Sequence, residues 1–106
     1  MRLILEFSTR IEAQTCLGAI DAMAADYWVE QGYTVTNGQL IGKKNGVDNP
    51  EAAQTLTWDA VEESPDGTFY FSSLTGTPFE AGMDQLSAAF TFTEKEMPEA
   101  WLPDEG

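Results

Sequence analysis

The 106-residue sequence predicts an α+β fold: one long amphipathic helix packed on a mostly antiparallel sheet of four to six strands, in a two-layer sandwich. Three observations carry this. The chain opens on a short alternation of apolar and polar residues. A 3.6-residue apolar period then runs for about six turns. After Gly32 the period drops to two, in pieces separated by turn dipeptides.

Residues 2–7 place Leu3, Leu5 and Phe7 on one side and Arg2, Ile4 and Glu6 on the other, and Ile4 on the second side marks a central strand. Thr9 and Glu12 match the capping box, in which side chains satisfy the first free backbone N–H groups of a helix. The spacing predicts a helix from about Arg10 to Gln31, its apolar stripe formed by Ala13, Cys16, Leu17, Ile20, Met23, Ala24 and Tyr27. Gly32 then suits the residue after the cap, where a positive φ is needed. Strand-like runs at 33–36 and 39–42 flank Asn37-Gly38, the signature of a tight hairpin. Residues 43–53 read as a loop with turn chemistry at Asn45-Gly46 and Asn49-Pro50. A second hairpin follows, with Trp58 in its first strand, Ser64-Pro65-Asp66-Gly67 as its turn and 68–74 as its return. Residues 79–87 fit a short helix or an irregular excursion, and 88–93 a last strand bearing Phe90 and Phe92. The organisation expected is a single domain over 1–96 and a Pro-rich acidic tail over 97–106, with one helical turn at 98–101.

Acids outnumber bases 18 to 5, for a net charge of −13. Direct nucleic-acid binding, which needs a basic footprint, is not expected. Histidine is absent and cysteine occurs once, which removes His-based triads, Cys/His zinc sites, internal disulfides and CxxC pairs. No apolar run approaches the roughly 20 residues that span a bilayer, and the start lacks a secretory core of about seven apolar residues. No membrane partner and no cofactor are expected, and Cys16 fits a reducing compartment. The charge is uneven: residues 1–53 hold seven acids and four bases, residues 54–106 eleven acids and one base, Lys95.

Several constellations bear on chemistry. Acids spread over a surface can imitate DNA phosphates, or simply keep a protein soluble. The clusters Glu62/Glu63/Asp66 and Asp48/Asn49/Glu51 lack calcium-loop spacing and read as turn formers. A paired-carboxylate enzyme needs a cleft that a domain of this size has little room to build, so enzymatic function is not expected. Cys16 falls in the apolar stripe and acts as a small hydrophobe. Trp28, about 80° off the centre of the stripe, and Trp101 with Leu102, between Pro98 and Pro103, are candidate partner-binding anchors. The same aromatics could instead close the ends of the chain's own core.

The stretches Leu-Glu-Phe-Ser-Thr, the helix starting Ile-Glu-Ala-Gln, and Thr-Leu-Thr-Trp-Asp-Ala-Val-Glu-Glu-Ser-Pro-Asp-Gly-Thr-Phe-Tyr-Phe together resemble a loose class of small bacteriophage proteins encoded among tail and fibre genes. The resemblance covers roughly residues 3–31 and 55–71 and transfers no site residues. It implies a non-catalytic virion component (tail, baseplate, fibre or capsid accessory) or an assembly protein, located in the virion or host cytoplasm. Its partner would be a larger phage or host protein assembly, with a homo-oligomer within a particle as one arrangement. Contact is expected through sheet edges and the C-terminal tail. The alternative is an acidic DNA mimic that inhibits a host nucleic-acid-binding protein, of the anti-restriction or anti-CRISPR type.

Overall fold

A computed structural model of the chain describes residues 2–101. The class is α+β, with a single long helix and antiparallel sheets. The strands form two sheets where one was expected, and the chain divides into two compact units: Met1–Leu17 with Asp59–Gly106, and Gly18–Trp58.

The first unit is built on the opening strand, β1 (Leu3–Phe7). The four-stranded sheet has the order β5-β6-β1-β7, with β5 at Glu62–Glu63, β6 at Phe69–Ser72 and β7 at Thr93–Glu96. As the second apolar face of β1 implied, the strand is internal, paired with β6 on one side and β7 on the other. Ladder pairs Leu5↔Phe71 and Phe7↔Phe69 lie on one face, Glu6↔Tyr70 and Ile4↔Ser72 on the other. The apolar face centres on Phe7, whose ring stacks on Phe71 at 5.2 Å and meets Phe92 at 5.6 Å.

The helix α1 (Arg10–Glu30) starts where the capping box placed it, with the Glu12 N–H donating to Thr9 Oγ1 at 3.2 Å. Of the expected stripe, Ala13, Cys16, Leu17, Ile20 and Ala24 are buried, and Met23 and Tyr27 are half-buried. The opposite face is less polar than an amphipathic helix requires, since Ile11 is 78% and Val29 56% exposed. The helix ends in a Schellman motif: the Tyr33 N–H donates to Trp28 O and the Gly32 N–H to Val29 O, both at 3.0 Å, with Gly32 at φ +94°.

The second unit carries a sheet ordered β2-β3-β4, with β2 at Thr34–Thr36, β3 at Gln39–Lys44 and β4 at Val47–Thr55. Both connections are two-residue hairpins whose central residues have positive φ, Asn37 and Gly38 in the first, Asn45 and Gly46 in the second. The second corrects the loop expected over 43–53. Residues 47–55 hold no apolar alternation because they form an exposed edge strand, and that position also tolerates Pro50.

Two further expectations are corrected. No strand runs through 56–61, because carboxylates take backbone donors there and nearby: the Trp58 N–H donates to Asp21 Oδ1 at 2.6 Å, and the Asp59 carboxylate accepts the N–H groups of Ser72 and Ala60 at 2.8 and 2.9 Å. The last strand begins at Thr93 and not at Ala88, since residues 83–89 form α2 (Met83–Ala89), which buries Leu86. The expected turn at 64–67 is present. The Ser64 hydroxyl is its hub, accepting the N–H groups of Asp66 and Thr68 at 3.2 and 3.1 Å.

Among the described residues the sheet edges are short or interrupted. β2, β5 and β7 span three, two and four residues, and the nine-residue β4 carries Pro50 and a register break opposite Leu40–Gly42.

Candidate functional site

The second unit contains an open groove of about 230 Å³, lined by Trp28, Tyr33, Leu40, Gly42, Ala52 and Gln54. Its wall is a product of the helix terminus. The Schellman motif turns the chain back so that residues 28 and 33 become neighbours, and their rings meet edge to face with centroids 5.4 Å apart and planes at 89°. Tyr27 adds a second perpendicular contact to the indole at 5.0 Å. The opposite side is the β3–β4 hairpin. Register runs Leu40↔Gln54, then Gly42↔Asn49, so four residues of β4 bulge where β3 has one. The bulge folds Ala52 onto Gly42 so closely that a Cβ at residue 42 would lie 2.7 Å from the Ala52 Cβ. Glycine is therefore required there by close approach.

The lining offers the Gln54 amide, the Tyr33 hydroxyl and the Trp28 indole N–H as polar groups and no carboxylate, thiol or amine. Such a surface can bind an apolar or aromatic group and orient it by one or two hydrogen bonds. At the hairpin end, Asp48 accepts from Lys43 Nζ at 2.6 Å and Thr34 Oγ1 at 2.8 Å, and these two bonds hold its carboxyl below the usual range.

The second face of the four-stranded sheet carries a polar network. Ser64 and Thr68 hydroxyls lie 2.6 Å apart, Thr68 Oγ1 donates to Glu6 Oε2 at 2.7 Å, and Lys95 Nζ donates to Glu6 Oε1 at 3.1 Å. Thr68 and, beyond the opposing effect of burial, Lys95 hold the Glu6 carboxyl below its ordinary value. Arg2 bridges Ser72, Asp59 and Glu62 along the sheet. Burial would raise the Asp59 carboxyl, but donors from Ser72 and Ala60 and the Arg2 charge outweigh it and the net shift is downward. Hydrogen bonds from Ser73 and Thr75 likewise lower Glu94. Tyr70 is pushed up, by burial first and by the Glu62 carboxylate next. Burial, with a smaller contribution from Glu12, raises the Cys16 thiol to about 11.

Of the anchors expected from sequence, Trp28 lines the groove and Trp101 packs on the chain's own sheet, its centroid 5.4 Å from Tyr70 and its indole N–H donating to Asp66 Oδ2 at 3.1 Å. The two lie in separate units, and Leu102 lies outside the described residues. Sequence reasoning missed Tyr33, Leu40, Gly42, Ala52 and Gln54 as groove residues. Two signals pointed to them: a tyrosine directly after the Gly32 terminator, and Asn45-Gly46, the same turn dipeptide as Asn37-Gly38.

Among the described residues no cluster of three or more His, Cys, Asp or Glu could hold a metal ion, and no helix is long and apolar enough to cross a membrane. Compared with models of protein families, with curated proteins and with solved structures, the chain matches none of them.

Proposed function

We propose that this chain is a non-enzymatic adaptor or structural protein that binds a larger protein assembly, with the groove of the second unit as its contact site. The observation that carries the reading is the lining: an edge-to-face Trp28–Tyr33 pair and Leu40, with the polar groups of Gln54, Tyr33 and Trp28 to set orientation. Aromatic anchors are typical of protein contacts. The interrupted and short sheet edges favour this groove over strand addition as the mode of contact. We extend the proposal to a bacteriophage particle or its assembly, which is what the stretches at 3–31 and 55–71, resembling small phage tail and fibre proteins, would imply. The test is affinity capture from phage-infected cells with the wild-type chain and with Leu40→Glu, which puts a charge into the groove. A protein retained stoichiometrically by the first and lost by the second, with both variants folded by circular dichroism, supports the reading. An identical set retained by both overturns it.

A second reading, DNA mimicry, is favoured by a different observation. Arg2, Lys43 and Lys95 are each engaged with a carboxylate inside the chain, while eight carboxylates of residues 59–101, including Glu80, Asp84, Glu96 and Glu99, are exposed. Inhibition of a host nuclease that weakens steeply between 50 and 500 mM salt would support mimicry, as expected for charge-driven association. Inhibition indifferent to salt would count against it.

A further inference from the structure

We infer that residues 97–101 form a releasable strap, latched by Trp101, which closes over the Glu6 face of the four-stranded sheet and opens independently of it. The strap is attached at its two ends. At one, the Met97 N–H donates to Arg2 O at 2.8 Å, extending the β1–β7 ladder by one bond, with the Met97 sulfur 3.9 Å from the Arg2 guanidinium. At the other, the Trp101 N–H closes a single 3₁₀ turn onto Pro98 O at 3.0 Å, and the indole makes its three contacts: Asp66 Oδ2, the Tyr70 ring, and the Lys95 ammonium 4.7 Å from the ring centroid. Between the ends, Glu99 and Ala100 are exposed, and the turn buries no residue.

The strength of the latch is therefore concentrated in one half-buried ring, held by one hydrogen bond to an exposed carboxylate, one ring contact to Tyr70 and one cation–π contact. The sheet beneath is different: Ile4, Leu5 and Phe71 are fully buried. A segment with few buried apolar contacts, resting on a core with many, belongs to the low-stability end of local opening. Release removes the indole from Tyr70, which is 6% exposed in the closed form, and from Lys95. It also frees the Met97 contacts to Arg2, so one aromatic ring and two of the chain's five bases change surroundings in a single step. The inference concerns an equilibrium within this chain and stands whether or not the groove binds a partner.

Amide hydrogen exchange tests it. In the wild type, the Met97 amide should exchange at least about tenfold faster than the ladder amides between β1 and β6, which report the core. Trp101→Ala should accelerate Met97 by a further factor of about ten and leave the β1–β6 amides unchanged, and Asp66→Ala, which severs the indole hydrogen bond alone, should give a smaller acceleration of the same amide. The inference is overturned if Met97 exchanges together with the ladder in the wild type. It is equally overturned if Trp101→Ala leaves the Met97 rate unchanged, accelerates strap and ladder alike, or fails to fold.

Discussion

The indole of Trp28 meets the ring of Tyr33 edge to face, five positions apart in the chain, because the helix stops between them at Gly32. A helix terminus thus makes one wall of a groove. The pair is also the apolar contact that commonly accompanies a Schellman motif. A double-mutant cycle on Trp28→Ala and Tyr33→Ala, followed by urea unfolding, should give a coupling of about 0.5–1.5 kcal/mol in favour of the pair. Additive losses would show that the rings share the wall without supporting each other.

Two glycines should respond in opposite senses. Gly18 lies inside α1 with open space where a Cβ would go, so Gly18→Ala should stabilise by about 0.5–1 kcal/mol. Gly42→Ala brings its methyl within 2.7 Å of the Ala52 methyl and should cost about 1–3 kcal/mol, with Ala52→Gly restoring part of the loss. Shifts in urea midpoint at constant slope are the readout.

Acid should destabilise the fold through specific carboxylates. Glu6, Asp48, Asp59 and Glu94 all titrate lower in the folded chain than their ordinary values of 4.5 for Glu and 3.8 for Asp. Each contributes stability that is present above the ordinary value and is lost as pH falls through the folded one. Stability should therefore be flat from pH 7 to about 5 and fall below about 4.5. Glu6→Gln should flatten part of that fall in urea midpoints measured across the range, and an unaltered acid limb would remove Glu6 from the account.

Cys16 behaves oppositely. Its thiol is raised from 9.0 to about 11, so the unfolded chain loses its proton first, and stability should decline as pH rises from 9 towards 11. Fully buried and protonated, it should react with a thiol reagent at neutral pH at the rate of chain opening and no faster. Labelling within the mixing time in native buffer would contradict that placement.

Asp21 should matter more than its position on the partly exposed side of α1 suggests. Its carboxylate accepts the Trp58 N–H at 2.6 Å and ties the end of the second unit to the helix. Asp21→Ala should cost about 1–2 kcal/mol in urea unfolding, in line with a hydrogen bond to a charged acceptor. A loss within error would place the tie outside the native balance.

The elements that could be read from sequence are those whose signal is local. The central strand 3–7, the Thr9 cap, the Gly32 stop, the Asn37-Gly38 hairpin, the Ser64 turn and the helical turn before Trp101 each rest on a few adjacent residues. The misses depend on distant partners. Trp58 alternates as a strand residue would, yet its backbone donor goes to a carboxylate 37 positions earlier. Val47–Thr55 is a strand without a strand's pattern, because it is exposed and bulged. Groove residues Ala52 and Gln54 were hidden for the same reason. Trp28 stands out as an aromatic off the apolar stripe, whereas its pairing with Tyr33 follows only from the position of that tyrosine directly after the Gly32 stop.

The broken rim of each sheet has a consequence for the molecule in bulk. Stacking copies into a cross-β fibre requires a straight run of about six residues with its backbone groups turned outward. Three rims are shorter than that, and the fourth is kinked by Pro50 and its bulge. The described rims provide no such template, so native copies should not seed amyloid, as thioflavin fluorescence would check.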